Sequence, residues 1–253
     1  MAFFEAYWSP TGGTKQVADL LSIEWKDEKE SLDLMTLLTE NDSLLKEDDI
    51  CMFAVPSFGG RVPEYALNKI KTFKGNNTKA IVVVSYGNRA YDDTLLELKD
   101  TLTDNGFVVI AGVAAIAQHS IAPLYGKGRP DIDDIDELKD FSKKLKAKIN
   151  GGKCDEVKVP GNKPYVKYSG VPIHPIGGLK CQQCGFCAQR CPVGAIPLEH
   201  PRLVNPVKCI SCMQCVAVCP SEVRHVALPM TTMAGALLLK EGGLKPKKNE
   251  FFI

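Results

Sequence analysis

Eight of the ten cysteines occur in two copies of one short pattern, and thiol side chains at this spacing are candidates for binding metal. Each copy reads C-x₂-C-x₂-C-x₃-C and is followed by proline. The first copy contains Cys181, Cys184, Cys187 and Cys191, and the second contains Cys209, Cys212, Cys215 and Cys219. A cubane iron–sulfur cluster takes four soft thiolates, three of which can come from one tight loop. The pattern therefore predicts two [4Fe–4S] clusters.

Zinc is the main alternative for these cysteines. Structural zinc sites use four ligands in two separated pairs, so a third cysteine at the same short spacing has no use in them. We therefore favour clusters. Of the other two cysteines, Cys51 lies in an apolar run and is expected to be a core residue. Cys154 has no evident partner, and neither is assigned as a ligand.

A second candidate site is the turn Ser9-Pro10-Thr11-Gly12-Gly13-Thr14, which lies between a predicted strand and a predicted helix. Glycine N–H groups and hydroxyls can close on an anion, and a helix N-terminus favours negative charge. Because Lys15 follows Thr14, the turn is not a Walker A loop, and it is not the dinucleotide glycine fingerprint either. The turn predicts a phosphate site, with an ordinary helix cap as the alternative.

The elements that would position these residues alternate between strand and helix patterns over the first 150 residues. Helical spacing covers about 15–23, 65–73, 93–105 and 131–149, with Asp92 or Asp93 as the predicted cap of the third helix and Asp131 as that of the last. Strand-like apolar runs cover 3–8, 32–37, 50–55, 80–84 and 107–117. This alternation predicts an α/β fold with a doubly wound, five-stranded parallel sheet covered by helices on both faces.

The turn pattern Ser-x-Thr-Gly-x-Thr after the first strand resembles the FMN phosphate loop of flavodoxins, and the resemblance spans about residues 2–150. It implies bound FMN, with the flavin ring between the loops after strands three and four. His119, at the end of the fifth strand, is expected near the ring but as a structural residue. The implied cofactor-binding residues are Ser9, Thr11, Gly12, Gly13, Thr14, Pro56, Ser57, Phe58, Gly59, Gly60, Tyr86, Gly87, Asn88, Arg89 and Tyr91.

The cysteine region resembles bacterial two-cluster ferredoxins, in which the fourth cysteine of each motif binds the other cluster. This implies cluster I on Cys181, Cys184, Cys187 and Cys219, and cluster II on Cys209, Cys212, Cys215 and Cys191. The whole chain resembles the flavodoxin-fused ferredoxins of anaerobes. We expect a flavodoxin-like domain at 1–150, a linker at 151–176, a small ferredoxin-like α+β domain at 177–230, and a tail at 231–253 with one short helix.

The charge of the chain divides unevenly between its halves. Residues 1–150 carry 18 basic and 24 acidic side chains, whereas residues 151–253 carry 13 and 6. Apart from chance, this asymmetry predicts attraction between the halves or docking of acidic electron carriers. No basic stripe with interleaved aromatics indicates nucleic acid. The longest apolar run, 107–117, is shorter than the roughly 18–20 residues of a membrane span. No signal-peptide pattern begins the sequence, so we expect a cytoplasmic protein.

These features favour an electron-transfer flavo-iron–sulfur protein. Flavin accepts electrons singly or in pairs and a cubane passes them singly, so the pair could interconvert one- and two-electron steps between redox partners. Those partners would be ferredoxin-like proteins or small-molecule carriers, and a homo-oligomer is left open. One alternative is an FMN-dependent reductase of a quinone, nitro compound or NAD(P)⁺, fed through the clusters. Another is a redox sensor or assembly subunit without a working flavin site.

Overall fold

The computed structural model describes residues 1–36, 45–152, 154–240 and 244–253. Five parallel strands make up most of its large sheet, in the order β2-β1-β3-β4-β5. This order is that of flavodoxin-like doubly wound sheets, so the predicted fold class is confirmed. The strands are β1 (Phe3–Tyr7), β2 (Lys29–Asp33), β3 (Ile50–Pro56), β4 (Lys79–Tyr86) and β5 (Val108–Ile116).

Helices cover both faces of the sheet, because alternate residues of the strands point to opposite sides. Helices α1 (Gly13–Leu21) and α4 (Ile132–Asn150) contribute to the apolar core on one face. Helices α2 (Glu64–Ile70) and α3 (Thr94–Asp104) contribute to the core on the other. The Asp131 cap of α4 is confirmed, as its carboxylate accepts from the N–H of Asp134 at 3.1 Å.

The cysteine region is small and internally repeated. It contains a two-stranded antiparallel sheet of β6 (Ile176–Gly177) and β7 (Arg224–His225), and two short helices, α5 (Phe186–Gln189) and α6 (Gln214–Ala217). The two helices are 28 residues apart, as are the two cysteine motifs. Helix α7 (Leu228–Lys240) follows this region.

The C-terminal tail returns to the large sheet. Strand β8 (Glu250–Phe252) pairs antiparallel with β5 and becomes a sixth strand at that edge. The sequence analysis did not predict this strand, since three residues are too few to show a hydrophobic period. The side chain of Asn249 holds the tail in this position. Its Nδ2 donates to Asp134 Oδ1 at 2.8 Å, and its Oδ1 accepts from the N–H of Ile116 at 3.0 Å.

Two local predictions need correction. The second strand was predicted at 32–37 but lies at Lys29–Asp33; residue 37 itself lies outside the described residues. This strand lies at the sheet edge and is mostly polar. The prediction followed the apolar run after it and therefore placed the strand too late in the sequence. Asp93, a candidate cap of the third helix, makes no side-chain cap bond. Its carboxylate instead accepts from the N–H groups of Asn162 and Val166, at 2.7 and 2.6 Å.

Candidate functional site

Two small cavities each have four cysteine side chains in their walls. The outer cysteine cavity is lined by Cys181, Cys184, Cys187 and Cys219. The inner cysteine cavity is lined by Cys191, Cys209, Cys212 and Cys215. Each cavity therefore takes three cysteines from one motif and the fourth from the other, which is the grouping that a crossed ligand arrangement requires. Within the described part of the chain, no three His, Cys, Asp or Glu side chains converge as they would on a single metal ion.

The two cysteine loops share one backbone conformation. Gln183 and Gly185 in the first motif have positive φ, and so do Ser211 and Met213, 28 residues later. Such residues let the chain turn tightly enough for successive cysteines to face one cavity. In the inner cavity, the N–H of Ala195 also donates to Cys191 Sγ at 3.2 Å.

Burial sets the electrostatics of these thiols. It raises the pKa of Cys212 to about 12. It also raises the pKa of Cys187, Cys209 and Cys215, although the positive charge of Arg224 offsets part of that rise. None of these thiols forms a disulfide. A buried thiolate needs compensating positive charge, which the iron of a cluster supplies, so both cavities fit such a group.

A much larger cavity, of about 440 Å³, lies at the carboxyl ends of β1, β3, β4 and β5. This volume falls within the range of roughly 300–1,000 Å³ typical of small-molecule sites. The position is also typical, because open α/β sheets bind ligands outside the carboxyl ends of their strands. Ten predicted cofactor-binding residues line it: Thr11, Gly13, Thr14, Pro56, Ser57, Phe58, Gly59, Tyr86, Gly87 and Arg89.

The turn after β1 presents the N-terminus of α1 to this cavity. Gly12, at the N-cap, is left-handed with φ of 88°, and no side chain caps the helix from that position. Ser9 Oγ accepts from the N–H of Lys15 at 2.9 Å, and Thr14 Oγ1 lies 2.7 Å from Ser85 Oγ. The turn is thus braced by its own hydroxyls, while the positive end of the helix dipole remains available to an anion.

The loops after β3 and β4 form the opposite walls. A Cβ on Gly59 would lie 2.1 Å from the ring of Tyr168, and one on Gly87 would lie 2.4 Å from the ring of His119. Both loops therefore need glycine for close packing of these rings. Phe58 packs edge-on against Trp8, with ring centroids 5.5 Å apart.

Five predicted residues do not line the large cavity. Ser9 and Gly12 shape the turn behind it. Asn88 Nδ2 donates to the carbonyl of Lys245 at 3.1 Å, and Tyr91 donates its hydroxyl to Glu250 Oε2 at 2.9 Å. These two hold the C-terminal tail, and Gly60 packs against Asp92 and Val166.

His119 is a neutral hydrogen-bond donor in the cavity wall. Burial, with the nearby charge of Arg89, lowers the pKa of its imidazole to about 4. Its Nδ1 accepts from the N–H groups of Ile121 and Ala122, at 3.2 and 3.1 Å, so the ring proton resides on Nε2. The sequence analysis placed this residue near the cavity, but only the structure reveals its tautomer.

The large cavity is closed by segments that the sequence analysis did not assign to it. The segment before the cysteines contributes Tyr168, Val171 and Ile173, and α7 contributes Ala234, Leu237 and Leu238. Their common signal, scattered apolar residues, does not distinguish a cavity wall from an ordinary core. The Tyr125 hydroxyl donates to the carbonyl of Gly235 and so fastens α7 over the site.

Cys212 belongs to two cavities. It lines the inner cysteine cavity and, with Ser211, also lines the large cavity. The Ser211 hydroxyl donates to the carbonyls of Val171 and Ile173, at 3.1 and 2.7 Å, and so fixes the second cysteine loop to the wall of the large cavity. The geometry thus brings together two sites that are formed by distant parts of the sequence.

Known proteins resemble different parts of the chain. A family model described as a 4Fe–4S dicluster domain matches residues 180–223. The "Ferredoxin-like protein in nif region" of Sinorhizobium fredii NGR234 is 40% identical over 48 residues, covering 16% of this chain and 75% of that protein. No helix among the described residues is long and apolar enough to cross a membrane.

Solved flavodoxin structures match the sheet domain. Oxidised flavodoxin 1 from Bacillus cereus matches with a TM-score of 0.44 and 16% identity, over 58% of this chain and 98% of that one. The flavodoxin of Streptococcus pneumoniae TIGR4 matches with a TM-score of 0.44 and 17% identity, over 58% and 99%.

Proposed function

The chain belongs to the family of ferredoxin-like 4Fe–4S dicluster proteins, and we propose that it relays electrons between FMN and two [4Fe–4S] clusters. The observation that carries this proposal is the double role of Cys212, which lines both the large cavity and the inner cysteine cavity. When bound, FMN exchanges one or two electrons and each cluster exchanges one. The chain's own residues then have to hold these groups side by side and keep water from the contact.

The two cysteine cavities would hold one cluster each. The proposed ligands of the outer cluster are Cys181, Cys184, Cys187 and Cys219, and those of the inner cluster are Cys209, Cys212, Cys215 and Cys191. The shared left-handed turns and the absence of disulfides among these eight cysteines support this assignment. The domain boundaries 1–150, 151–176, 177–230 and 231–253 remain part of the proposal.

The large cavity would hold FMN. The N-terminus of α1 suits its phosphate, because no side chain at Gly12 caps that helix. The glycine-bearing loops after β3 and β4, together with Phe58 and Tyr168, suit a flat aromatic ring. The charge of Arg89 is balanced by its ion pair with Asp92 in the same cavity wall. Its N–H groups and the Nε2–H of His119 place donors at the cavity, which favours a ring that gains negative charge on reduction.

The contact between the two sites lies inside a single chain. Ser211 ties the inner cysteine loop to the segment that walls the large cavity, and α7 covers the remaining side. The flavin would therefore meet the inner cluster rather than an external protein. External redox partners would meet the outer cavity, where Cys184 is exposed. Lys180 and Arg190 are exposed in the same region and suit an acidic partner.

Composition and electron capacity test this proposal together. Anaerobically purified protein should contain about one FMN, eight irons and eight sulfides per chain, and should accept about four electrons in a reductive titration. Iron near four per chain, or stoichiometric zinc without charge-transfer absorption, would refute the two-cluster assignment. Full iron with no FMN binding, even after incubation with excess FMN, would refute the relay.

A further inference from the structure

Arg224 is a buried cation that lines the outer cysteine cavity and bonds Pro175, which lines the inner one. It lies on β7, five residues after Cys219, and is only 3% exposed. Its Nη1 donates to Cys187 Sγ at 3.6 Å and to the carbonyl of Pro201. Its Nη2 donates to the carbonyls of Pro175 and Leu203, at 3.2 and 3.3 Å. These partners hold the guanidinium in one orientation.

Among the described residues, no carboxylate pairs with this guanidinium. Its partners in the described residues are carbonyl and thiol groups, and no salt bridge of this region includes it. A buried charge is costly unless it is paired. Its contacts reach both cysteine cavities, since it donates to Cys187 of the outer set and to the carbonyl of Pro175 in the wall of the inner cavity.

One donor of Arg224 also lacks a partner. The Nε atom is buried and makes no hydrogen bond. An unmade bond at a buried donor costs free energy, so a native arginine in this place implies an acceptor that the polypeptide does not provide. Sulfur of a bound cluster is such an acceptor, because Arg224 lines the outer cavity itself.

We propose that Arg224 is a fixed positive charge shared by both cluster sites, which makes each cluster easier to reduce. This rests on the proposed two-cluster function. Four thiolates on an oxidised cubane core leave about −2 per cluster, and every electron gained adds another negative charge. A cation held between two such anions stabilises the reduced form of both. It also lessens the repulsion that the first electron exerts on the second.

The test is an EPR-monitored redox titration of the full holoprotein. In Arg224→Gln, the equilibrium constant for reducing each cluster should fall at least tenfold, which corresponds to 59 mV for one electron. In Arg224→Lys, a point charge replaces a planar fork, so it can serve one cavity only and the two potentials should separate. The control is Arg202→Gln, an equal change of charge at an exposed position of the same domain, which should shift neither potential tenfold.

Each outcome decides the proposal. Arg224→Gln with both clusters and with unshifted potentials would overturn it. If Arg224→Gln does not assemble its clusters, Arg224→Lys decides, and unshifted potentials there would overturn it. Failure of both variants to assemble clusters would assign Arg224 a purely structural role and also overturn it. The titration follows only the EPR signals of the clusters, so its result does not depend on the flavin. Failure of the proposed flavin relay would show instead as absent electron exchange between flavin and clusters in the unsubstituted protein.

Discussion

The two cysteine cavities come from one repeated motif, yet they occupy different surroundings. In the outer cavity Cys184 is exposed, whereas its counterpart 28 residues later, Cys212, is 9% exposed and also lines the large cavity. The motif sets the ligand geometry in both loops. Tertiary packing then gives the cavities different neighbours, solvent on one side and the proposed flavin site on the other, and so gives them different roles.

A single side chain accounts for much of this difference. Gln183 and Ser211 occupy equivalent left-handed positions in the two loops. Gln183 is exposed, whereas Ser211 is 3% exposed and bonds two carbonyls of the segment that walls the large cavity. The two copies of the repeat therefore differ at the position where the second loop is bonded to the wall of the large cavity.

The largest effect is expected from matched substitutions of two equivalent cysteines, one in each motif. Cys212→Ser should damage the inner cluster and abolish rapid electron exchange with the flavin, while Cys184→Ser should damage the outer cluster and leave that exchange intact. Iron content should fall from about eight towards about four in each variant. Stopped-flow absorbance would measure the exchange. If both variants lost rapid electron exchange with the flavin to the same extent, the inner and outer clusters would not have the different roles proposed here.

The phosphate turn offers the next largest effect. Thr11 is exposed at the cavity and Thr14 is buried. Thr11→Glu and Thr14→Glu each place a carboxylate against a phosphate of roughly −1.5 to −2 charge, so FMN affinity should fall at least about 100-fold. Fluorescence titration with FMN measures this affinity. Thr14→Val is the control, because it changes the same side chain without adding a charge. Full FMN affinity in both Glu variants would reduce the turn to a helix cap.

Salt should affect the proposed contact between flavin and inner cluster differently from the contact between the outer cluster and an external redox protein. Exposed charges are screened within roughly 10 Å at 0.1 M salt, and buried contacts much less. Raising salt should therefore slow reduction of the outer cluster by an acidic protein carrier about tenfold or more. Exchange between flavin and inner cluster should change less than about twofold. Similar salt dependence of both rates would mean that the halves meet through charge attraction, as the uneven charge distribution first suggested.

The smallest expected effect concerns Ser211. Ser211→Ala removes a buried hydroxyl donor and should cost about 0.5–1.5 kcal/mol of local stability. Hydrogen exchange of amides at 165–175 should accelerate accordingly. Gln183→Ala, at the equivalent exposed position, is the control and should leave those amides unchanged. Equal protection in both variants would show that the hydroxyl does not hold the loop.

Local patterns predicted the fold class, because the alternation of strands and helices is a short-range regularity. The two cavities group the cysteines as the resemblance to two-cluster ferredoxins implied, and their assignment as cluster ligands stays a prediction. Alternation of apolar runs indicated the parallel sheet, and the 28-residue repeat indicated two equivalent loops. The turn from Ser9 to Thr14 was equally readable, since a strand, glycines and a helix start follow one another directly.

The rest of the site could not be read from the sequence, because it depends on contacts between distant segments. Nothing near Tyr168 or Leu237 indicates that these residues close a cavity formed by loops much earlier in the sequence. Asn88 and Tyr91 lie in a predicted cofactor loop, but the C-terminal tail competes for them. That competition becomes visible only once β8 is found beside β5.

The central claim is that electrons pass between flavin and inner cluster within one chain, and its most direct test is the dependence of that step on protein concentration. Holoprotein reduced rapidly at one site should redistribute electrons with a first-order rate constant. That constant should stay the same when the protein is diluted tenfold. A rate that falls in proportion to dilution would mean exchange between separate chains, and no redistribution would mean that the two sites work independently.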